Sequence, residues 1–211
     1  MKRILIILAV IIGFTGTVSA QSYGNDMRQV YSINYQMNLP LGSTRDFTST
    51  MSFEGININW AYFLNPMISI GVDLTYNRLH EKVGQKIYRP NDYTAMNAAQ
   101  YRYTQVFPLK AQAKCFFTPN NYIKTYASIG IGALSSGQHI IIQDLEKWHN
   151  EWGFLVSPEI GMLIPFGNGL NYGVNVALGY NYSTNKSKFG TIKVDNYQTL
   201  YLNIGLYLAI F

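Results

Sequence analysis

Apolar and polar positions alternate with a period of two along most of the chain. In 170–182, Leu170, Tyr172, Val174, Val176, Leu178, Tyr180 and Tyr182 interleave with Asn171, Gly173, Asn175, Ala177, Gly179 and Asn181. The C-terminal segment repeats the pattern: Leu200 to Ile210 on even positions, Thr199, Tyr201, Asn203, Gly205, Tyr207 and Ala209 on odd ones. A third run sets Ile68, Ile70, Val72, Leu74 and Tyr76 against Ser69, Gly71, Asp73 and Thr75. Segments near 29–39, 51–63, 102–117, 122–134 and 152–164 alternate with more exceptions, which makes eight predicted strands. Pro108 and Pro158 fall inside two of them and predict bulges or lost ladder bonds.

The links between segments alternate in length. Turn signals at Leu64-Asn65-Pro66, Thr118-Pro119-Asn120-Asn121 and Pro165-Phe166-Gly167-Asn168-Gly169 are short, whereas 40–50, 78–101, 135–151 and 183–197 are long. This arrangement predicts antiparallel strands with both termini at one end, and ten strands if 78–101 hides a hairpin. The period does not say which face lies inside, because a soluble lipocalin-like barrel alternates in the same way. The polar face decides. It is mostly Gly, Asn, Ser, Ala and Thr rather than the Lys and Glu of a water-facing surface, so it suits a crowded lumen. Trp60, Tyr62 and Phe117 gather at the short-turn side and Tyr76, Tyr180 and Tyr182 at the long-link side, like two interfacial girdles. The expected fold is all-β: an eight-stranded antiparallel transmembrane β-barrel with its apolar face outward.

Composition agrees. Only 13% of residues are charged although 48% are hydrophobic, and 17 Tyr with 11 Phe bring the aromatic share to 15%. A typical soluble domain carries about 25% charged residues. At the N-terminus, Lys2 and Arg3 precede the apolar stretch Ile4 to Phe14, and Val18-Ser19-Ala20 fits a small-x-small cleavage site. Residues 1–20 are therefore expected to be a cleaved signal peptide and 21–211 the barrel domain, exported to the cell outer membrane. Loss of Lys2 and Arg3 would lower the formal charge of +5 by two. The single Cys115 rules out an intramolecular disulfide framework and is expected on the lipid face.

With the signal segment, Gly55-Ile56-Asn57-Ile58 followed by Tyr62-Phe63, Phe107-Pro108-Leu109-Lys110-Ala111, Pro158-Glu159-Ile160-Gly161 and a terminal strand ending in Phe211, the chain resembles the small outer-membrane β-barrel proteins. The likeness is to the OmpA/OmpX-like barrel domain, Bacteroidetes-type, and covers nearly all of 21–211. The resemblance implies that Phe211 serves as a recognition signal for the barrel assembly machinery, although strict alternation puts Phe211 on the inward face. Members of this family include tethers, adhesion proteins, conduits and secretion components, so the resemblance carries no reaction.

Candidate chemistry is sparse. The inward charges are Asp73, Lys110, Lys114, Lys124 and Glu159, with Asp73 and Lys110 expected at similar depth on neighbouring strands as part of a lumen charge network. His80, His139 and His149, with Asp144, Glu146 and Glu151 near the last two, match no compact metal-ligand spacing. Ser136 near His139 is the best approach to a hydrolytic pair, and it lies in a predicted loop, so no enzyme and no cofactor is expected. Lys82, Lys86, Arg89, Lys186, Lys188 and Lys193 make two long links cationic and suggest contacts with lipopolysaccharide phosphates. No nucleic-acid signature is present. The expected role is structural or interactive, exercised through the extracellular loops on outer-membrane lipids or a protein partner. The alternatives are a passive conduit for small or hydrophobic molecules and an accessory subunit of a secretion or uptake complex.

Overall fold

The computed structural model describes residues 27–91, 94–118, 122–142, 145–166, 171–189 and 192–211; the expected signal segment 1–20 lies outside them. Eight strands close into an antiparallel barrel: β1 (Gln29–Leu41), β2 (Glu54–Asn65), β3 (Ile68–Asn91), β4 (Thr94–Phe116), β5 (Lys124–Ile142), β6 (Leu145–Pro165), β7 (Tyr172–Ser183) and β10 (Tyr197–Ile210). Their order around the wall is β1-β10-β7-β6-β5-β4-β3-β2, with β1 pairing β2 to close it. Every neighbour but the β1–β10 and β7–β10 pairs is consecutive in sequence, as direct links between antiparallel strands allow. Even the β7–β10 pair is interrupted only by β8 (Ser187–Phe189) and β9 (Ile192–Val194), which form a separate two-stranded sheet.

The faces are sorted as the alternation requires. Ile33, Ile160 and Leu206 are 60%, 61% and 62% exposed, while Asn34, Asn203 and Lys110 on the other face are each 1% exposed. Trp60, Tyr62, Phe117, Tyr76 and Tyr182 are exposed and Tyr180 is half-buried, all on the outer face. An exterior of this kind is unfavourable in water and favourable in lipid, and closing the sheet leaves no unpaired edge within the bilayer. Cys115 is exposed on that face. No helix among the described residues is long and apolar enough to cross a membrane.

Two of the long links are not loops. β3 and β4 run on as one hairpin paired from Ile68↔Cys115 to Asn91↔Thr94, and β5 and β6 stay paired to Ile142↔Leu145. The hairpin inside 78–101 does not add barrel strands, because it continues β3 and β4; the barrel keeps eight. Apolar alternation ends where the wall leaves the bilayer, since both faces there meet water, so the pattern stops before the strand does. In the 40–50 link, α1 (Gly42–Phe47) turns over the mouth of the barrel and buries Thr44 and Phe47. Thr44 Oγ1 accepts from the Gln198 amide at 2.8 Å, and Arg102 donates to the Phe47 carbonyl at 3.1 Å with its guanidinium 5.6 Å over the Phe47 ring. The helix thus bridges β10 to β4 across the opening.

Both prolines interrupt the ladder. On the β3–β4 side the pairing lapses between Leu74↔Leu109 and Asn77↔Val106, and on the β6–β7 side between Val156↔Tyr182 and Glu159↔Gly179. Register is unchanged across both gaps, so these are lost bonds rather than bulges, as expected of a residue without an N–H.

Arg substitution of Val176, or of Ile204 directly across from it in the register, places a charge in the lipid belt. Each change should lower the unfolding free energy in bilayers by about 2–4 kcal/mol. Denaturant titration followed by the heat-modifiable gel shift measures it.

Candidate functional site

The lumen is divided into three layers. At the short-turn end, Met27, Val30, Phe63, Phe116, Leu163, Tyr207 and Ala209 form an apolar cluster on which Phe211 packs, and the Phe63 and Phe116 rings lie 4.9 Å apart. At the opposite end Leu79, Val106, Leu134, Leu155 and Tyr197 form a second buried cluster. Between them every barrel strand contributes a polar or ionisable side chain.

Asp73 and Lys110 face each other directly in the register of β3 and β4, and Lys110 Nζ stands 3.6 Å from Asp73 Oδ1. Lys110 Nζ also donates to Ser157 Oγ at 3.0 Å and to the Tyr201 hydroxyl at 3.2 Å, and lies 4.8 Å over the Tyr201 ring. Tyr201 in turn donates to Glu159 Oε2 at 3.0 Å. The other oxygen, Oε1, accepts from Gln112 Nε2 at 3.2 Å and lies 3.3 Å from the Tyr126 hydroxyl. Tyr126 stands equally near Asn175 Oδ1, at 3.1 Å, and has one proton for the two acceptors. From there Asn175 donates to Asn34, Asn34 to Asn57, Asn57 to Thr75 and Thr75 to Asp73 Oδ1 at 2.9, 2.8, 2.8 and 3.1 Å, respectively. The contacts form a closed circuit that visits β1, β2, β3, β4, β10, β6, β5 and β7.

Lys114 joins from below, donating to Asn59 Oδ1 at 2.9 Å and lying 4.7 Å over the Tyr126 ring. Lys124 is buried at the start of β5 opposite Leu163, nearer the short turns and outside this circuit. The sequence grouped Asp73, Lys110, Lys114, Lys124 and Glu159 as one network; the structure sets the first three and Glu159 in the middle layer and Lys124 nearer the short turns. The sequence reading missed the neutral members, above all Tyr126 and Tyr201, the two rings that bridge the charges. Their parity carried the signal: Tyr201 sits among Thr199, Asn203 and Gly205 on the inward face. Room for the rings comes from glycine. A Cβ at Gly161 would stand 2.6 Å from the Tyr126 hydroxyl, and one at Gly179 would collide with the Tyr201 ring and hydroxyl.

The circuit satisfies charges that would otherwise be costly in a confined space. A buried ion is tolerable when its Coulomb partner and its remaining hydrogen-bonding positions are all supplied. Lys110 has an anion, two hydroxyls and an aromatic face; Glu159 has donors on both oxygens. What this arrangement does chemically is fill and cross-brace the barrel. Ser136 faces the lumen, where it accepts from Asn185 Nδ2 at 3.0 Å, whereas His139 is on the other face of β5 with its ring 6.4 Å from that of Tyr103. His80 pairs with Glu54 at 3.6 Å. Among the described residues no three His, Cys, Asp or Glu side chains come together as a metal site; Asp144 lies outside them.

The six cations at the long-link end split into two groups. Lys82, Lys86 and Arg89 lie on the β3 extension; Lys186 precedes β8, and Lys188 on β8 is directly across from Lys193 on β9. The β3–β4 hairpin and the β7–β10 link leave the wall on opposite sides of the strand order.

Asp73→Ala and Lys110→Ala should each destabilise the barrel by about 3–5 kcal/mol, the range for removing one member of a buried pair. The double variant should lose clearly less than the sum in a denaturant-based double-mutant cycle. Gly179→Val should displace Tyr201 and cost about 1–3 kcal/mol as an overpacking change, read by the same titration and by the intrinsic tyrosine signal.

No protein-family model and no curated protein matches the sequence. Solved structures do. Ail, the attachment invasion locus protein of Yersinia pestis, crystallised with the heparin analogue sucrose octasulfate, shares 13% identity at a TM-score of 0.51, covering 87% of this chain and 99% of Ail. Neisserial surface protein A is 14% identical over 90% of this chain and 100% of its own, with a TM-score of 0.47. OprG of Pseudomonas aeruginosa is 10% identical over 88% and 96%, also at 0.47. With the apolar exterior and filled lumen already described, the likeness to Ail completes the assignment of fold: the chain has the eight-stranded β-barrel fold of the small outer-membrane proteins.

Proposed function

We propose that this barrel is a non-enzymatic interaction protein whose working surface is the strand extension above the membrane. The observation that carries this reading is the unequal height of the wall. β3, β4, β5 and β6 are 24, 23, 19 and 21 residues long, against 13, 12, 12 and 14 for β1, β2, β7 and β10. One side of the barrel therefore continues as a free-standing sheet. Pairing of β3 with β2 ends at Arg78↔Glu54, and the 48–53 segment covers β3 only a little further, through Ser49 on Glu81 and Ser52 on the Arg78 carbonyl. Beyond that, β3 runs to Asn91, a projection of about 30 Å at roughly 3.3 Å per residue. On the other flank β6 loses β7 above Leu155↔Ser183, apart from contacts made by Thr184 and Asn185.

An exposed strand edge is a row of backbone donors and acceptors, and extended polypeptide is the partner that satisfies such a row. The same row carries Lys82, Lys86 and Arg89 on β3, which would favour an acidic extended segment and disfavour edge-to-edge pairing of two copies. The conduit reading is weaker, because the polar circuit and the two apolar clusters occupy the lumen. Signal cleavage after Ala20 and recognition of Phe211 by the assembly machinery belong to the same proposal, and the inward packing of Phe211 on the lower cluster is compatible with a role completed before the barrel closes.

Replacing 82–101 by a two-residue turn should leave the heat-modifiable barrel intact while abolishing binding of extended acidic peptides, measured by surface plasmon resonance on the reconstituted protein. Unchanged binding would overturn the edge reading. In planar bilayers the wild type should show no ion-conducting steps.

A further inference from the structure

Where the β3–β4 ladder lapses, the outer wall carries a groove of about 170 Å³ lined by Tyr76, Gln105, Phe107, Ser135, Gly137 and Asn150. Its lower rim is aromatic, with Tyr76 and Phe107 in the girdle. Its upper rim is an amide row, because Gln105, Gly137 and Asn150 stand side by side across β4, β5 and β6. Arg78 faces Gln105 in that row; its guanidinium stacks 4.8 Å from the Tyr103 ring, and its Nε is shielded from solvent with no hydrogen-bond partner.

The wall itself has an unmet acceptor here. The Phe116 amide donates to the Met67 carbonyl on the β3 side, and the Phe117 amide to Thr125 on the β5 side, so even-numbered residues of β4 direct their backbone groups at β3. Pro108 is one of them. The unchanged register across the gap between Leu74↔Leu109 and Asn77↔Val106 sets it opposite Thr75, whose carbonyl therefore has no ladder donor from Pro108. Within a membrane such a group requires a partner from protein, water or a bound molecule.

We propose that the groove seats the sugar headgroup of one outer-leaflet glycolipid, whose acyl chains run down over Leu74, Leu109 and Phe154. The volume decides against a free solute: pockets that hold a whole drug-sized molecule are about 300–1,000 Å³, so this one accepts part of a molecule held in place by something else. The membrane supplies that hold, because exposed Leu74 and Leu109 come next below Tyr76 and Phe107 on the outer face of β3 and β4, with exposed Phe154 opposite Ala133 at the same level. A sugar ring supplies hydroxyl donors for backbone carbonyls and for Gln105 and Asn150, and presents an apolar face to Tyr76 and Phe107. Arg78 stands where a sugar phosphate would be met. The proposal shares with the previous section only the orientation of the long links toward the outside; it does not depend on the strand edges.

The test is native mass spectrometry of the full delipidated barrel in detergent, titrated with a glycolipid bearing a phosphorylated glucosamine disaccharide or with phosphatidylethanolamine. One glycolipid should remain bound at activation energies that strip phosphatidylethanolamine. Gly137→Phe, which fills the groove from the lipid side, should weaken that retention at least tenfold while leaving heat-modifiable mobility unchanged. Gln105→Ala with Asn150→Ala should weaken it severalfold and carries the test if Gly137→Phe does not fold. Equal retention of both lipids, or retention unaffected by the variants that fold, would overturn the proposal. Loss of peptide binding in the hairpin-deleted protein, with glycolipid retention intact, would separate the two sites.

Discussion

The structure depends on the mutual satisfaction of polar groups in a lumen that water cannot fill. Surrounded by lipid, the barrel has only one place to put side chains that hydrogen-bond, and that place is barely wide enough for them. An eight-stranded wall encloses a space that its own side chains occupy. The charges are therefore not scattered but set against one another: Lys110 on Asp73, with Tyr201 between Lys110 and Glu159, and Tyr126 between Glu159 and Asn175. Tyrosine suits the bridging positions because its ring packs as an apolar body while its hydroxyl both donates and accepts. The small inward residues follow from the same constraint, since Gly161 and Gly179 leave the space that the two rings enter.

The two ends of the lumen obey a different logic. At the short-turn end the strand termini converge with Phe211 and Met27, and apolar side chains fill the space between them. At the other end, α1 and the upper cluster close the mouth, with Arg102 over Phe47 joining the helix to the wall. An apolar–polar–apolar sequence along the axis leaves the charged layer insulated on both sides. That insulation strengthens each pairing within it, because fewer waters compete for the same groups.

Much of this was legible in one dimension. Alternation gives the strands their outward faces, and the polar face gave away the lumen by being small and neutral rather than charged. Asp73 and Lys110 were found as neighbours by counting from the short turns, because antiparallel register converts sequence distance into depth. Two features escaped for physical reasons. The upper halves of β3 to β6 lost their pattern where both faces leave lipid, so paired backbone read as loop. Tyr126 and Tyr201 were hidden by their composition: seventeen tyrosines invite assignment to the interfacial girdles, and only parity separates those that turn inward.

The circuit through the lumen also has a temporal meaning. Asn175 meets Asn34 across 141 residues and Lys110 meets Tyr201 across 91, so these bonds wait until β1 and β10 have come together. Hairpins such as β3–β4 and β5–β6 gain their ladders locally and early, whereas the polar layer returns nothing until the last seam shuts. A partly assembled wall holds its lysines and carboxylates without their opposite numbers, which makes any open-sided intermediate poorly tolerated in lipid. Closure is thereby rendered cooperative: the interior acts as a latch that registers only the complete circle.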